Sequence, residues 1–372
     1  MKQHERFRAI MRSPKLIWNV LFQGQYDFTF DLMPVHIRQM SMSKRLNLFK
    51  AGANFIHRSL KPWSWPLHLQ IELTNYCNLK CPICPTGIGK MNRKPMAMDV
   101  SLFEQLMNEV GPHLLTMSLW AWGESLLHPK LMDMLRIARQ HDIFTIFSTN
   151  GQKLNDERVR QAIIKYPPTH LIVAIDGLVD ETNSKYRVGA KLERALSGVR
   201  RLAKIKQEKG LDLPLLHMRY IVMKHNEHEI THLKEFAIKN GFDFLTVRAL
   251  SICDGIENKH RELVPNASKF QAYMYKNNER VQHNNFICYW PFWFPTVLVD
   301  GTVLGCDQDY NAQNPLGVFS KEVSFADIWF GQQAIRFRKK IRDQPDSINF
   351  CKNCPYQHHN ADACSIQKMD LN

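Results

Sequence analysis

The sequence of 372 residues has no run of ~18 consecutive apolar residues, which excludes a membrane-spanning helix. Its most apolar N-terminal stretch, LIWNVLF (16–22), is short, and no small-residue cleavage site follows it, which argues against a secretory signal. No internal repeat and no low-complexity tract is present, so nothing points to a repeat architecture. An even, dispersed set of cysteines is missing as well. There are nine, an odd number, and they cluster, which reads as metal ligation in a reducing cytoplasm rather than a disulfide framework.

What is present is an ordinary globular composition, 44% hydrophobic and 23% charged, with length for about two domains. The net charge of +14 is unevenly spread. Residues 1–66 hold 11 Lys and Arg against 3 Asp and Glu, a net of +8, and the remainder carries +6. Such an excess suits nucleic acid, anionic lipid or an acidic substrate, and equally a solvated surface.

Residues 1–66 read as a basic, helical N-terminal extension. In SKRLNLFKAGANFIHR (43–58), Leu46, Phe49 and Ile56 fall near one face, with Lys44, Lys50 and Arg58 elsewhere. The first reading is a helix packed on the following domain, and the second is peripheral membrane contact. KPWSWP (61–66) ends the segment because its prolines disfavour helix.

From Leu67 strands and helices alternate. Strands are predicted at 67–73, 114–120, 143–148, 171–175, 215–223 and 244–250. Helices are predicted at 99–110 (N-cap Asp99), 129–140 (opened by Pro129), 190–207 and 227–240 (closed by Gly241). This is an α/β pattern with a parallel sheet, open or curled into a partial barrel, over a core of residues 67–265. Chemistry in such sheets gathers at the carboxyl ends of strands. The cysteine loop YCNLKCPICP (76–85), Gly123-Glu124, TNG (149–151) and Asp176-Gly177 all fall there. Residues 280–372 change texture, with short strands, turns, five cysteines and a hairpin expected at Asp300-Gly301.

Cys77, Cys81 and Cys84 are spaced C-x3-C-x2-C. Three thiolates can hold three irons of a cubane and leave the fourth iron for a cofactor. Zinc would want a fourth local ligand, and the nearest upstream histidine, His68, lies within the preceding strand. The chemistry favours an iron–sulfur cluster.

The loop, followed in order by WGESLLHPKL (122–131), STNG (148–151), AIDG (174–177) and YRVG (186–189), resembles the radical S-adenosylmethionine (radical SAM) superfamily. The resemblance implies a partial (β/α)6 TIM-like barrel. It also implies a SAM-binding [4Fe–4S] cluster on Cys77, Cys81 and Cys84, and formation of a 5′-deoxyadenosyl radical. Gly123, Glu124, Asn150 and Arg187 are implied in cofactor binding, with Glu124 accepting from the SAM ammonium and Arg187 pairing its carboxylate. Relatives often have serine where this chain has Ala174, so Arg187 or Asn150 would have to compensate.

Cys288, Cys306, Cys351 and Cys354 are separated by 17, 44 and 2 residues. By residue chemistry alone they suit zinc or a cluster equally. CYWPFWFPTVLVDGTVLGCDQD (288–309), GVFSKEVSFADIW (317–329) and INFCKNCPY (348–356) are similar to the SPASM/twitch extension of radical SAM enzymes. This implies a small C-terminal domain in which the four cysteines hold a second, auxiliary [4Fe–4S] cluster. Cys364 is a weaker ligand candidate, and Cys253 reads as an incidental thiol. Asp307 and Asp309, beside Cys306, are the candidate catalytic bases, with His217 and Arg248 as further candidates.

The resemblance implies dehydrogenation or epimerisation of a carbohydrate or cyclitol-type small molecule, supported by a single auxiliary cluster and no winged-helix-like leader-binding segment. The alternatives are a peptide (RiPP) maturase and an enzyme acting on a lipid-linked substrate. From a different class, a zinc-stabilised RNA-binding protein would use the charge and aromatics such as Trp63 and Trp65, although no nucleic-acid partner is expected. The implied partners are a reductant such as flavodoxin or ferredoxin and a small-molecule or peptide substrate.

Overall fold

The computed structural model describes residues 14–30, 32–57, 59–252, 260–273, 275–276, 279–281, 288–352, 354 and 365–371. Arg58, Cys253 and Cys364 lie outside the described residues, as does the side chain of Ile56.

Six parallel strands form the centre in sequence order: β3 (His68–Ile71), β4 (Thr116–Ser118), β5 (Phe144–Thr149), β6 (His170–Ala174), β7 (Leu215–Val222) and β8 (Phe244–Ala249). Their period-two pattern assigns the two faces. On β7, Leu216, Met218, Tyr220 and Val222 join the large core under the helices, and His217, Arg219 and Ile221 face the other way. The outer helices are α3 (Val100–Val110), α4 (Leu131–Arg139), α5 (Glu157–Lys165), α6 (Asp180–Tyr186), α7 (Leu192–Lys209) and α8 (Leu233–Lys239). Asp99 caps α3 by accepting from the amides of Ser101 and Leu102, as its sequence predicts.

The sheet is curled. Ile146 of β5, Ile172 of β6 and Phe244 of β8 are not all neighbours, yet they meet around the fully buried Met33. Met33 comes from the N-terminal extension. That extension is not simply helical, as its sequence suggests. Between helix α1 (residues 14–23) and helix α2 (Met42–His57) stands a hairpin of β1 (Tyr26–Phe30) and β2 (Met33–Ile37). Met33 and Val35 are buried, and Pro34 and His36, which alternate with them, are exposed, the pattern of a half-buried strand.

Two helices, α5 and α6, escape the sequence reading. Residues 227–240 divide into a 3-10 stretch (Glu227–His232) and α8, and α4 begins at Leu131, two residues after Pro129. Beyond β8 come the short pair β9 (Tyr275–Lys276) and β10 (Glu279–Arg280), α9 (Trp290–Trp293), β11 (Thr296–Val297), β12 (Thr302–Leu304) and β13 (Pro315–Val318). The chain ends with α10 (Phe325–Trp329), α11 (Gln332–Asp343), α12 (Asn349–Lys352) and β14 (Ser365–Asp370). The expected hairpin turns at Gly301, whose φ of 85° suits glycine.

The small C-terminal domain is joined to the barrel through main-chain hydrogen bonds. β11 runs parallel to β3 at one edge, and β14 runs antiparallel to β8 at the other. Its strands thus cover both edges of the six-stranded sheet and make one ten-stranded sheet.

Candidate active site

The cysteine loop leaves β3 and folds tightly on itself. A Cβ on Gly87 would come within 2.4 Å of the Cys81 carbonyl oxygen, so only glycine permits this path. Cys84 N donates to Cys81 O, Leu79 N to Cys77 Sγ, and Asn150 Nδ2 approaches Cys77 Sγ at 3.6 Å. Arg187 Nη1 stands 3.9 Å from Cys81 Sγ. All three thiols line one cavity of about 330 Å3 at the carboxyl ends of the strands. Residues from the carboxyl-terminal half of every one of the six central strands, or following it, reach the cavity: Cys77, Trp122 and Glu124, Asn150, Ala174, Arg219 and Arg248 among them.

Gly123 is required by close approach. A Cβ there would sit 1.9 Å from Thr74 O. Glu124 is buried behind it. Its Oε1 accepts from Thr149 Oγ1 at 2.6 Å and Leu126 N at 3.0 Å, and its Oε2 accepts from Asn150 N at 2.8 Å. Burial raises its pKa, and these three donors act in the opposite direction. The three bonds leave about one of the carboxylate's four acceptor positions for a further donor. The GE and TNG motifs, far apart in sequence, are therefore one hydrogen-bonded unit.

Arg187 is held by Asp176, a residue whose motif the sequence flags without showing its job. Asp176 Oδ2 accepts from Arg187 Nε, and Oδ1 accepts from Ile221 N at 2.7 Å. Burial opposes the charge on Arg187, but Asp176, Cys81 and Tyr186 outweigh it and raise its pKa. Gly177 admits the backbone of Asn183, whose Oδ1 accepts from Asp176 N. The thiol of Cys77 is pushed up to about 12, chiefly by burial, and burial also raises Cys81 against the pull of Arg187.

The second site brings Cys288, Cys306, Cys351 and Cys354 together. Burial is the main cause of the raised thiol pKa values of Cys288, Cys306 and Cys351. Each of these thiols is raised further by neighbours within this group of four. Amides of Trp290 and Gln308 donate towards Cys288 and Cys306, respectively. Among the described residues, no three His, Cys, Asp or Glu side chains are placed to hold a single metal ion. Four neighbouring thiols, two of them met by amide donors, with no three drawn in around a single ion, fit a polynuclear iron–sulfur group better than zinc.

Two contacts tie the sites together. Trp122 Nε1, next to Gly123, donates to Asp307 O at 2.8 Å. Arg93 pairs with Glu72 through both carboxylate oxygens at 2.7 Å, and its Nε donates to Tyr310 O. Neither link is legible in the sequence, because Trp122 and Asp307, and Arg93 and Tyr310, are more than 180 positions apart.

The structure places the base candidates less favourably than their sequence positions suggest. Asp309 spends both carboxylate oxygens on the amides of Gln313 and Asn314. Asp307 turns its carboxylate to Cys306 Sγ and Gln308 Nε2. Gln308 lies on the cavity wall, which neither aspartate lines. His217 is in the interior of β7, bonded through Nε2 to Thr246 Oγ1, whereas Arg248 does line the cavity.

The radical SAM superfamily model matches residues 71–237, and the SPASM model, an iron-sulfur cluster-binding domain, matches residues 288–355. The chain belongs to the radical SAM superfamily. It is a radical SAM oxidoreductase with a C-terminal SPASM domain, and its cofactors are SAM, a SAM-binding [4Fe–4S] cluster and an auxiliary iron–sulfur cluster. The reading as a zinc-stabilised RNA-binding protein is thereby set aside. The chain is 22% identical over 334 residues to a tungsten-containing aldehyde ferredoxin oxidoreductase cofactor-modifying protein of Pyrococcus furiosus, covering 81% of this chain and 89% of the relative. It is 22% identical over 329 residues to a PqqA peptide cyclase of Granulibacter bethesdensis, covering 82% and 84%. Among solved structures it resembles Streptococcus suis SuiB bound to precursor peptide SuiA, with a TM-score of 0.60, 16% identity, and 96% and 88% of the two chains covered. This radical SAM enzyme acts on a small-molecule or peptide substrate with an auxiliary cluster beside its barrel.

Proposed function

We propose that the chain is a peptide maturase, a radical SAM enzyme that oxidises, crosslinks or epimerises a residue of a precursor peptide. The observation that carries this reading is the likeness to a peptide cyclase over 82% of the chain, through both domains. It replaces carbohydrate or cyclitol oxidation as the first reading. The expectation built on a missing leader-binding segment weighs less than a likeness spanning the whole core. The cavity supports a peptide as well. It is open, and its wall mixes Trp120, Trp122, Arg219, Arg248, Ser251 and Gln308, a set able to meet both apolar side chains and peptide carbonyls.

In this reading Cys77, Cys81 and Cys84 hold the SAM-binding cluster, and Cys288, Cys306, Cys351 and Cys354 hold the auxiliary one. The loaded site supplies a 5′-deoxyadenosyl radical that removes a hydrogen atom from substrate. Glu124 accepts from the SAM ammonium through its remaining lone pair, and Arg187, fixed by Asp176, offers its outer N–H groups to the carboxylate. Asn150 steadies Cys77. Ala174, on the cavity wall, offers no hydrogen bond of its own from its side chain, so these contacts fall to Arg187 and Asn150. Gln308 carries the wall of the cavity over to the auxiliary cysteines.

The test is anaerobic turnover of the reduced enzyme with short peptides encoded beside its gene, in D2O, read by tandem mass spectrometry. Loss of two hydrogens from one peptide marks a crosslink or oxidation, and deuterium at one α-carbon marks epimerisation. Turnover of a free sugar or cyclitol with every peptide unchanged would overturn the peptide reading.

A further inference from the structure

The N-terminal extension carries an apolar surface that the barrel does not use. The inner face of α2 is committed to the barrel floor. Lys44 Nζ donates to the carbonyls of His141 and Asp142, and Asn47 Nδ2 donates to His113 O. Leu48 joins Val20, Met40 and Leu115 in a small core. Arg45 fastens α1 to α2 by donating to Met40 O and to Leu21 O. With the inner face spent, Met42, Leu46 and Phe49 form an i, i+4, i+7 stripe on the outer one. Leu46 and Phe49 are 46% and 44% exposed, so they are not the packed face the sequence pattern predicts. On α1, Trp18 and Phe22 stack on each other with centroids 4.5 Å apart, 55% and 65% exposed. Leu16 and Ile17 extend this apolar surface.

Cations accompany it. Lys15, Lys50 and Lys61 are exposed, and Asp27, among the few acidic groups of the segment, is already paired with Arg38 and His36. Residues 1–66 carry +8. Two copies of such a surface would repel each other, whereas an anionic bilayer complements both its charge and its apolar stripe. Exposed tryptophan beside aliphatic side chains suits the headgroup boundary.

We infer that α1 and the outer face of α2 dock this enzyme on an anionic phospholipid surface, with the mouth of the cavity directed away from it. The direction follows from where α2 is bound. His113 precedes β4 and His141-Asp142 precede β5, so α2 sits at the amino ends of the strands, and the cavity opens at their carboxyl ends. A strand of six residues separates these ends by about 20 Å. The docked enzyme draws its substrate from solution, which counts against a lipid-linked substrate presented by this segment. The inference stands on the N-terminal geometry and is independent of the peptide reading.

The experiment is co-sedimentation of the full-length holoenzyme with phosphatidylcholine vesicles, with and without phosphatidylglycerol. Binding is expected only with phosphatidylglycerol, weakening as salt is raised, with a blue shift of tryptophan emission. The double variants Trp18→Ser/Phe22→Ser and Leu46→Ser/Phe49→Ser are each expected to bind at least ~10-fold more weakly. Their SAM cleavage should equal that of the parent, which shows that they fold. Vesicle binding should leave SAM cleavage by the parent unchanged, since the mouth stays free. Absence of binding to anionic vesicles, or binding by both variants as tight as that of the parent, would overturn docking. A dimer seen by light scattering and dispersed by the same substitutions would assign the surface to a second copy instead. Inhibition of SAM cleavage by bound vesicles would overturn the orientation.

Discussion

At the scale of single residues, the site depends on atoms that are absent as much as on those present. Gly123 is the sharpest case, since a methyl group there would overlap Thr74 O at 1.9 Å. Relief would push the segment bearing Glu124 away from Thr149 and Asn150. Gly123→Ala is expected to lower SAM cleavage by about 100-fold, the scale of a ~1 Å misplacement, measured as 5′-deoxyadenosine formed under dithionite. Cleavage at the parental rate would show that the approach of Gly123 to Thr74 is not needed. Cys77, Cys81, Cys84, Gly123, Glu124 and Arg187, each flagged by a local motif in the sequence, all come to the wall of one cavity. Asp176 was visible only as half of a DG pair. Its work, holding Arg187 and the Ile221 amide, depends on a neighbouring strand and a helix end that no local pattern specifies.

At the scale of elements, the loop after β4 works in two directions. Glu124 lines the cavity and accepts from Thr149 and Asn150, and Trp122 reaches the C-terminal domain through Asp307 O. Trp122→Phe keeps most of the ring against Tyr310 and loses the donor. The lost bond is worth about 1 kcal/mol. The expected result is a slightly lower melting temperature and SAM cleavage largely kept, with a falling ratio of product to 5′-deoxyadenosine. An unchanged ratio would show that this link does not position the second site. Among the elements, α3 and its Asp99 cap were legible because capping is a four-residue event. The β1–β2 hairpin was missed because its strands are five residues each, and their buried partner, the barrel floor, is supplied from more than 100 residues further on.

At the scale of the whole molecule, the C-terminal domain completes the barrel sheet at both edges. If the proposed ligands are right, Cys354→Ala should reduce iron from about eight to about four per chain and leave SAM cleavage in place, whereas Cys81→Ala should abolish cleavage. Loss of all iron from Cys354→Ala would mean that the two clusters assemble as one. The barrel interior also sets a pH dependence. Burial lowers His68 to about 3 and His170 to about 4, from 6.5. Both are neutral when folded and become charged on unfolding below pH 6.5, so the unfolded chain binds more protons there. Stability should therefore fall as pH drops from 6.5 towards 4, and His170→Gln should flatten that slope in chemical denaturation, provided the variant folds. A slope unchanged in a folded His170→Gln variant would remove His170 from the account.

The chemistry class and the order of strands are legible in local patterns of residues. Ligand spacing, turn glycines and hydrophobic periodicity all act within a few residues of one another. How the motifs act together depends on contacts made in three dimensions. Glu124 meets the TNG loop, Arg187 leans on Asp176, Gln308 reaches the cavity while Asp307 and Asp309 turn aside, and α2 buries its polar face and leaves its apolar stripe outside. Each of these turns on side chains brought together by the curl of the sheet, and that curl is set by packing across the whole barrel.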